Sequence, residues 1–124
     1  MAWTTELSSD GAYVGVTYDG YVTPGELLKC FDATVALVTK HDQWHIFTDT
    51  TALQGGHSVT DLYYLADAIL ATGHGSKIRE AVLMSALPDT AEKVRFWETT
   101  CANRGLRVRI FTDRGEALGW LRAA

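Results

Sequence analysis

The chain of 124 residues is 47% hydrophobic, 21% charged and 10% aromatic, with 11 glycines and 2 prolines, which excludes disorder, collagen-like repeats and small disulfide-stapled scaffolds. A chain of this length hides roughly two thirds of the surface that its unfolded form exposes, enough for one core over residues 1–124 without metal or disulfide. Residues 1–62 carry eight acids and two bases, net −6, and residues 63–124 seven acids and nine bases, net +2, so the concentrated basic face of a nucleic-acid binder is missing.

In chain order, residues 3–7 and 12–18 read as two strands joined by Ser8-Ser9-Asp10-Gly11, whose Asp-Gly pair tolerates positive φ. Val14, Val16 and Tyr18 fall on one face of the second strand. Thr23-Pro24-Gly25-Glu26 then opens a helix: Thr23 caps, Pro24 suits the first helical position and Glu26 closes a capping box. Leu27, Leu28, Phe31, Val35 and Val38 give it an apolar stripe ending near Lys40. Trp44 to Thr48 is a buried strand ending at Asp49, and a loop from Thr50 to His57 follows.

From Ser58 or Thr60 onward, Val59, Leu62, Leu65, Ala66, Ile69 and Leu70 recur at helical spacing until Gly73-His74-Gly75. Ala81 to Met84 is the fourth strand. Asp89 and Glu92, just after Pro88, predict a second capping box and a helix whose Val94, Trp97 and Cys101 share a face, ending at Asn103-Arg104-Gly105. Leu106 to Phe111 is the fifth strand, and Asp113 with Glu116 predicts a third capping box that starts a short last helix lined by Ala117, Leu118 and Leu121. The order ββαβαβαβα predicts an α/β fold with a five-stranded, mostly parallel sheet, an antiparallel first strand and helices packed mainly on one face. Arg107 and Arg109 alternate with apolar residues in the last strand, which makes it an edge or leaves a sheet face partly open. His45, Phe47, Val82 and Met84 are expected on such an open face, available to a second copy of the chain.

The element order and the closing run from Val108 to Leu121, a strand of alternating Val and Ile, then Phe111-Thr112-Asp113, then Glu116-Ala117 and Trp120-Leu121, resemble the SpoIIAA-like family. The resemblance implies the STAS fold of anti-sigma-factor antagonists, often dimeric, with a likeness in element order to the lipid-binding SEC14 fold. It also implies a regulatory serine at the start of the helix after the central strand, a position that falls on Ser58. The family's Asp-Ser-Ser-Gly-Leu setting is replaced here by Gly55-Gly56-His57-Ser58-Val59-Thr60, and Ser58 or Thr60 serves equally as a plain helix cap.

The carboxyl ends of parallel strands form the usual ligand crevice of such sheets. Asp49, Thr50, Gly56, His57, Ser58 and Ser85 fall there and are the candidate ligand-binding or regulatory residues. No catalytic residue is expected: Ser58, His57 and Asp49 contain the residue types of a hydrolase but no GxSxG elbow surrounds them. No cofactor is expected either, because Gly55-Gly56 is followed by neither Lys-Ser nor Lys-Thr and no GxGxxG follows a strand. His41 and His45 straddle a helix end and a strand start, where a four-residue spacing does not converge on a metal. Cys30 and Cys101, 71 residues apart on apolar helix faces, read as buried free thiols. No apolar run of about 18 residues offers a membrane span, and Met1 to Glu6 lacks the basic and apolar regions of a signal peptide, so a cytoplasmic protein is expected. The surplus of aromatics leaves two working modes. One is association, as a homodimer or with a regulatory protein partner; the other is binding of a small apolar or acyl ligand.

Overall fold

The computed structural model describes residues 2–123. One five-stranded sheet, in the spatial order of the sequence, is built from β1 (Trp3–Leu7), β2 (Val14–Tyr21), β3 (His45–Gly55), β4 (Arg79–Leu83) and β5 (Arg107–Phe111). β1 is antiparallel to β2 and every later pair is parallel. The connections are α1 (Pro24–His41), α2 (Val59–Ala71) and α3 (Pro88–Ala102), and α4 (Arg114–Arg122) closes the described chain. The expected fold class is therefore the observed one, with β1 and β5 as the edges.

Register assigns the faces. Val16 lies beside Thr48, Ile46 beside Glu80, and Glu80 beside Val108, so these side chains share the face that carries α1, α2 and α3. The opposite face carries Phe47, Ala81 and Leu83, on which α4 lays Ala117 and Leu121. Arg79 fastens that helix: its guanidinium lies 3.8 Å from the Trp120 ring and donates from Nη2 to the Trp120 carbonyl at 2.6 Å. The expectation of an uncovered face with His45, Phe47, Val82 and Met84 is corrected here. Phe47 is 3% exposed beneath α4, and Val82, 2% exposed, belongs to the other face with Met84 packed against the same core.

Local chemistry accounts for the boundaries. Thr23 caps α1 by accepting from the Glu26 N–H at 3.2 Å, but the Glu26 carboxylate does not close a capping box; it accepts from Trp3 Nε1 at 2.6 Å. Ser58 and Asp61 form the complete box at α2. At α3 the expected Asp89 cap is absent: Leu87 takes the N-cap position with no side-chain bond, and Asp89 lies inside the first turn, where its charge suits the helix dipole. The expected loop after Asp49 is strand instead, since Ala52, Leu53 and Gly55 continue alongside Asp19, Gly20 and Tyr21. Glycines and β-branched polar residues hid that extension.

Gly56 shows how tightly this extension meets the chain below it. Its φ of +102° is a conformation L side chains rarely adopt, and a Cβ there would lie 2.7 Å from the backbone N and O of Val22. Gly105 also has positive φ, +75°, but faces open space. We expect Gly56→Ala to lower stability by about 3 kcal/mol or more and Gly105→Ala by only about 1–2 kcal/mol, the left-handed penalty alone. Urea denaturation of the two variants checks this, and equal losses would remove the steric argument.

Candidate functional site

The three helices on the first face do not cover it evenly. α1 packs on β1 and β2, while α2 packs on α3, and α1 and α2 make no comparable contact with each other. The separation has visible anchors. Trp3 and Thr5 on the edge strand bind Glu26 and Thr34 of α1, at 2.6 Å and 3.3 Å. At the other side Arg104, just past α3, holds Asp67 of α2 at 2.9 Å, and its guanidinium covers the Tyr63 ring at 4.2 Å. Between the two anchored units lies a cavity of about 140 Å³. Phe31, Val35 and Val38 wall it on the α1 side and Leu62, Leu65 and Ile69 on the α2 side. His57 and His74, which precede and follow α2, both line it, so the cavity runs along that helix, about 20 Å long.

The floor is polar in one place. Glu80 rises from β4 into this apolar space, its Oε2 accepting from Thr48 Oγ1 at 2.5 Å and its Oε1 from Trp97 Nε1 at 2.8 Å. The surface it retains faces the cavity, and burial raises its carboxyl above the ordinary range against the lowering effect of those two hydrogen bonds. Beside it stand the Tyr18 hydroxyl and the Cys30 thiol, both also raised by burial, and Cys101, raised by burial and by Glu80. Both cysteines are free and buried, as expected. A thiol held protonated in this way is a poor nucleophile.

The six candidate residues divide. Thr50 and His57 line the cavity. The Thr50 hydroxyl donates to the Leu83 carbonyl, which ties β3 to β4, and His57 Nδ1 lies 2.9 Å from the Val22 carbonyl. Burial lowers the His57 pKa and so favours its neutral form, whose Nδ1–H can donate that bond. The others stand apart from it. Asp49 is on the opposite face, paired with Arg114 at 2.7 Å; Gly56 serves backbone packing; Ser85 accepts from the Leu87 N–H. Ser58 is exposed and fully engaged with Asp61, accepting from its N–H at 3.3 Å and donating to its carboxylate at 2.9 Å. Ser58, His57 and Asp49 therefore share no hydrogen bond and form no catalytic relay.

Sequence reasoning missed Glu80, Thr48, Tyr18 and Trp97 as site residues. Glu80 fell outside because the expected fourth strand starts at Ala81, two residues after its true beginning at Arg79. With the strand beginning at Arg79, Glu80 alternates in phase with Val82 onto the helix-covered face, and an acid in that phase is the signal of a functional interior. Among the described residues no cluster of His, Cys, Asp and Glu could hold a metal ion, and no helix is long and apolar enough to cross a membrane.

Comparison with known proteins places this geometry in a fold. The chain matches an uncharacterised protein of the DUF3478 family from Shewanella loihica PV-4, described as having a SpoIIAA-like fold, with 23% identity over 97% of this chain and 92% of that one and a TM-score of 0.55. It also matches the anti-sigma factor antagonist SpoIIAA in its unphosphorylated form, with 13% identity over 99% of this chain and all of that one and a TM-score of 0.59. No family model and no curated protein matches the sequence. The fold is SpoIIAA-like, of STAS type, as the closing motif implied.

Two measurements follow from this site. Between the ordinary value of a glutamic acid, 4.5, and the raised folded value of Glu80, the native chain keeps a proton that the unfolded chain has released. Stability must then fall as pH rises through that window, by about 1.4 kcal/mol per pH unit. Glu80→Gln removes the loss, so its stability relative to the parent grows as pH rises above 4.5 in denaturation curves; curves that stay parallel would contradict a raised carboxyl. Ser58→Ala costs about 1 kcal/mol of stability through the lost cap, and binding in the cavity is unchanged.

Proposed function

We propose that this SpoIIAA-like protein is a non-catalytic binding domain whose cavity between α1 and α2 takes a small, mainly apolar molecule. The observation that carries this reading is the cavity itself: aliphatic and aromatic walls from two helices that stand apart, over a sheet floor with a single charged type of side chain, Glu80. An engineered apolar cavity of about 150 Å³ stays dry and binds benzene, and 140 Å³ is the same class of space. The occupant is accordingly small. A long acyl chain would have to leave most of its length outside.

A second reading keeps the association first expected, as a homodimer or with a regulatory protein. Tyr63, Tyr64 and Leu70 on the outer side of α2 are 47%, 65% and 40% exposed, an apolar surface unusual for a helix facing only water. Its likeness to a protein described as an anti-sigma factor antagonist supports a regulatory role. The two readings differ in where the working surface lies, inside the cavity or on the outer side of α2.

The test is ligand-dependent stabilisation. Saturating 1-hexanol should raise the melting temperature of the parent protein, since a ligand at 100 times its Kd adds about 2.7 kcal/mol. Val35→Phe, which fills the cavity from α1, should abolish that rise while keeping the circular dichroism of the parent. An equal rise in both proteins would place the binding elsewhere, and no rise in either would leave association as the working mode.

A further inference from the structure

We propose that the molecule held in the cavity carries an amine, whose hydrogen-bond donors meet the Glu80 carboxyl while its apolar body lies between α1 and α2. This rests on the cavity being a binding site and names the chemistry of its ligand. The argument begins with what the chain leaves unpaired. Glu80 accepts one bond on each oxygen, from Thr48 and from Trp97, and an ionised carboxylate can accept about twice that number. Among the described residues no cation bridges it: the four ion pairs join Lys29 to Glu26, Arg104 to Asp67, Arg114 to Asp49 and Arg122 to Asp10.

Its immediate titratable neighbours are acids as well. Tyr18 on β2, Cys30 on α1 and Cys101 on α3 surround it, and none can supply a positive charge. The basic groups that line the cavity are His57, His74 and Lys93. His57 engages the Val22 carbonyl, Lys93 Nζ donates to the His57 carbonyl at 2.8 Å, and the His74 ring stacks 5.0 Å from Trp44. None is bonded to Glu80.

A carboxyl without a cation in an apolar cavity discriminates by sign. An anionic head group would find no cation at Glu80 to pair with and would keep an uncompensated charge in a low-dielectric space. An alcohol could donate one neutral hydrogen bond. An ammonium could donate up to three and pair its charge, and charge-assisted bonds are the stronger class. Pairing with an ammonium favours the ionised carboxylate, and any proton the carboxyl holds passes to the solvent as the ion pair forms. Glu80 is thus a positioning and selecting group for the head of the ligand, set by its place in β4 opposite Trp97.

The experiment uses hexylamine, 1-hexanol and hexanoate, which share one apolar body and differ in head group, titrated calorimetrically into the full chain near neutral pH. We expect hexylamine to bind at least about tenfold more tightly than hexanoate, with hexanol between them. Glu80→Gln should bring hexylamine close to hexanol and leave hexanol unchanged, and hexanol binding also reports that the variant is folded. Hexanol or hexanoate binding as tightly as hexylamine would overturn the amine assignment while keeping the cavity as a binding site. No binding of any of the three would overturn both.

Discussion

Two sets of anchors pull α1 and α2 to opposite sides of one sheet face, and the rest of the molecule is arranged around the gap they leave. On one side the edge strand reaches across to α1 through Trp3–Glu26 and Thr5–Thr34. On the other Arg104 ties the end of α3 to α2 through Asp67 and the Tyr63 ring. Packed helices ordinarily approach to about 8–10 Å and interdigitate. Here neither helix is free to slide toward the other without giving up its anchor, so the sheet centre, where Glu80 stands, stays open to a cavity instead of a helix.

Much of this was legible in the amino-acid order. Thr23-Pro24 and Asp113 announce helix starts that the structure caps through the Thr23 and Asp113 side chains, without the expected reciprocal boxes, and the Val14, Val16, Tyr18 phase groups side chains on one face of β2. What escaped had physical reasons. Asp89 carries the signature of a cap, yet the helix starts two residues earlier because Pro88 prefers the first helical position, so Leu87 caps with no side-chain bond. The stretch after Asp49 looks like a loop because Thr, Gln and Gly dominate it, whereas pairing with β2 holds it extended. The site was the least legible part. Crevice reasoning directs attention to the carboxyl ends of the strands, and there Asp49, Gly56, Ser58 and Ser85 turn out to cap, tether and pack. A cavity made by the absence of contact between two helices has no motif, since each helix carries an ordinary apolar stripe.

The opposite face makes the contrast informative. α4 is short, yet Ala117 and Leu121 are fully buried against Phe47, Ala81 and Leu83, and the guanidinium of Arg79 fills the seam beside Trp120. The same chain therefore packs one side of its sheet closely with nine helical residues and leaves a space on the other, which has three longer helices at its disposal. Shortage of apolar side chains does not explain the space. Leu28 is 54% exposed on α1, and Tyr64 and Leu70 are exposed on α2.

The energetic cost gives that choice its meaning. Apolar side chains that line an unfilled space lose contact partners, and a domain stable by only about 5–15 kcal/mol has little margin for that loss. The buried carboxyl adds to the cost wherever it ionises, because no basic side chain bridges it. A Val or Leu in place of Glu80 would ease both terms, and such substitutions lie within easy reach of ordinary sequence change. Local rules broken together, an unfilled space and an acid at its floor, are what functional sites look like when the surrounding fold is otherwise consistent. Trp97 and Thr48 make the breach stable by satisfying each carboxyl oxygen once, which holds the head of Glu80 in place and leaves its remaining acceptor capacity turned toward the cavity.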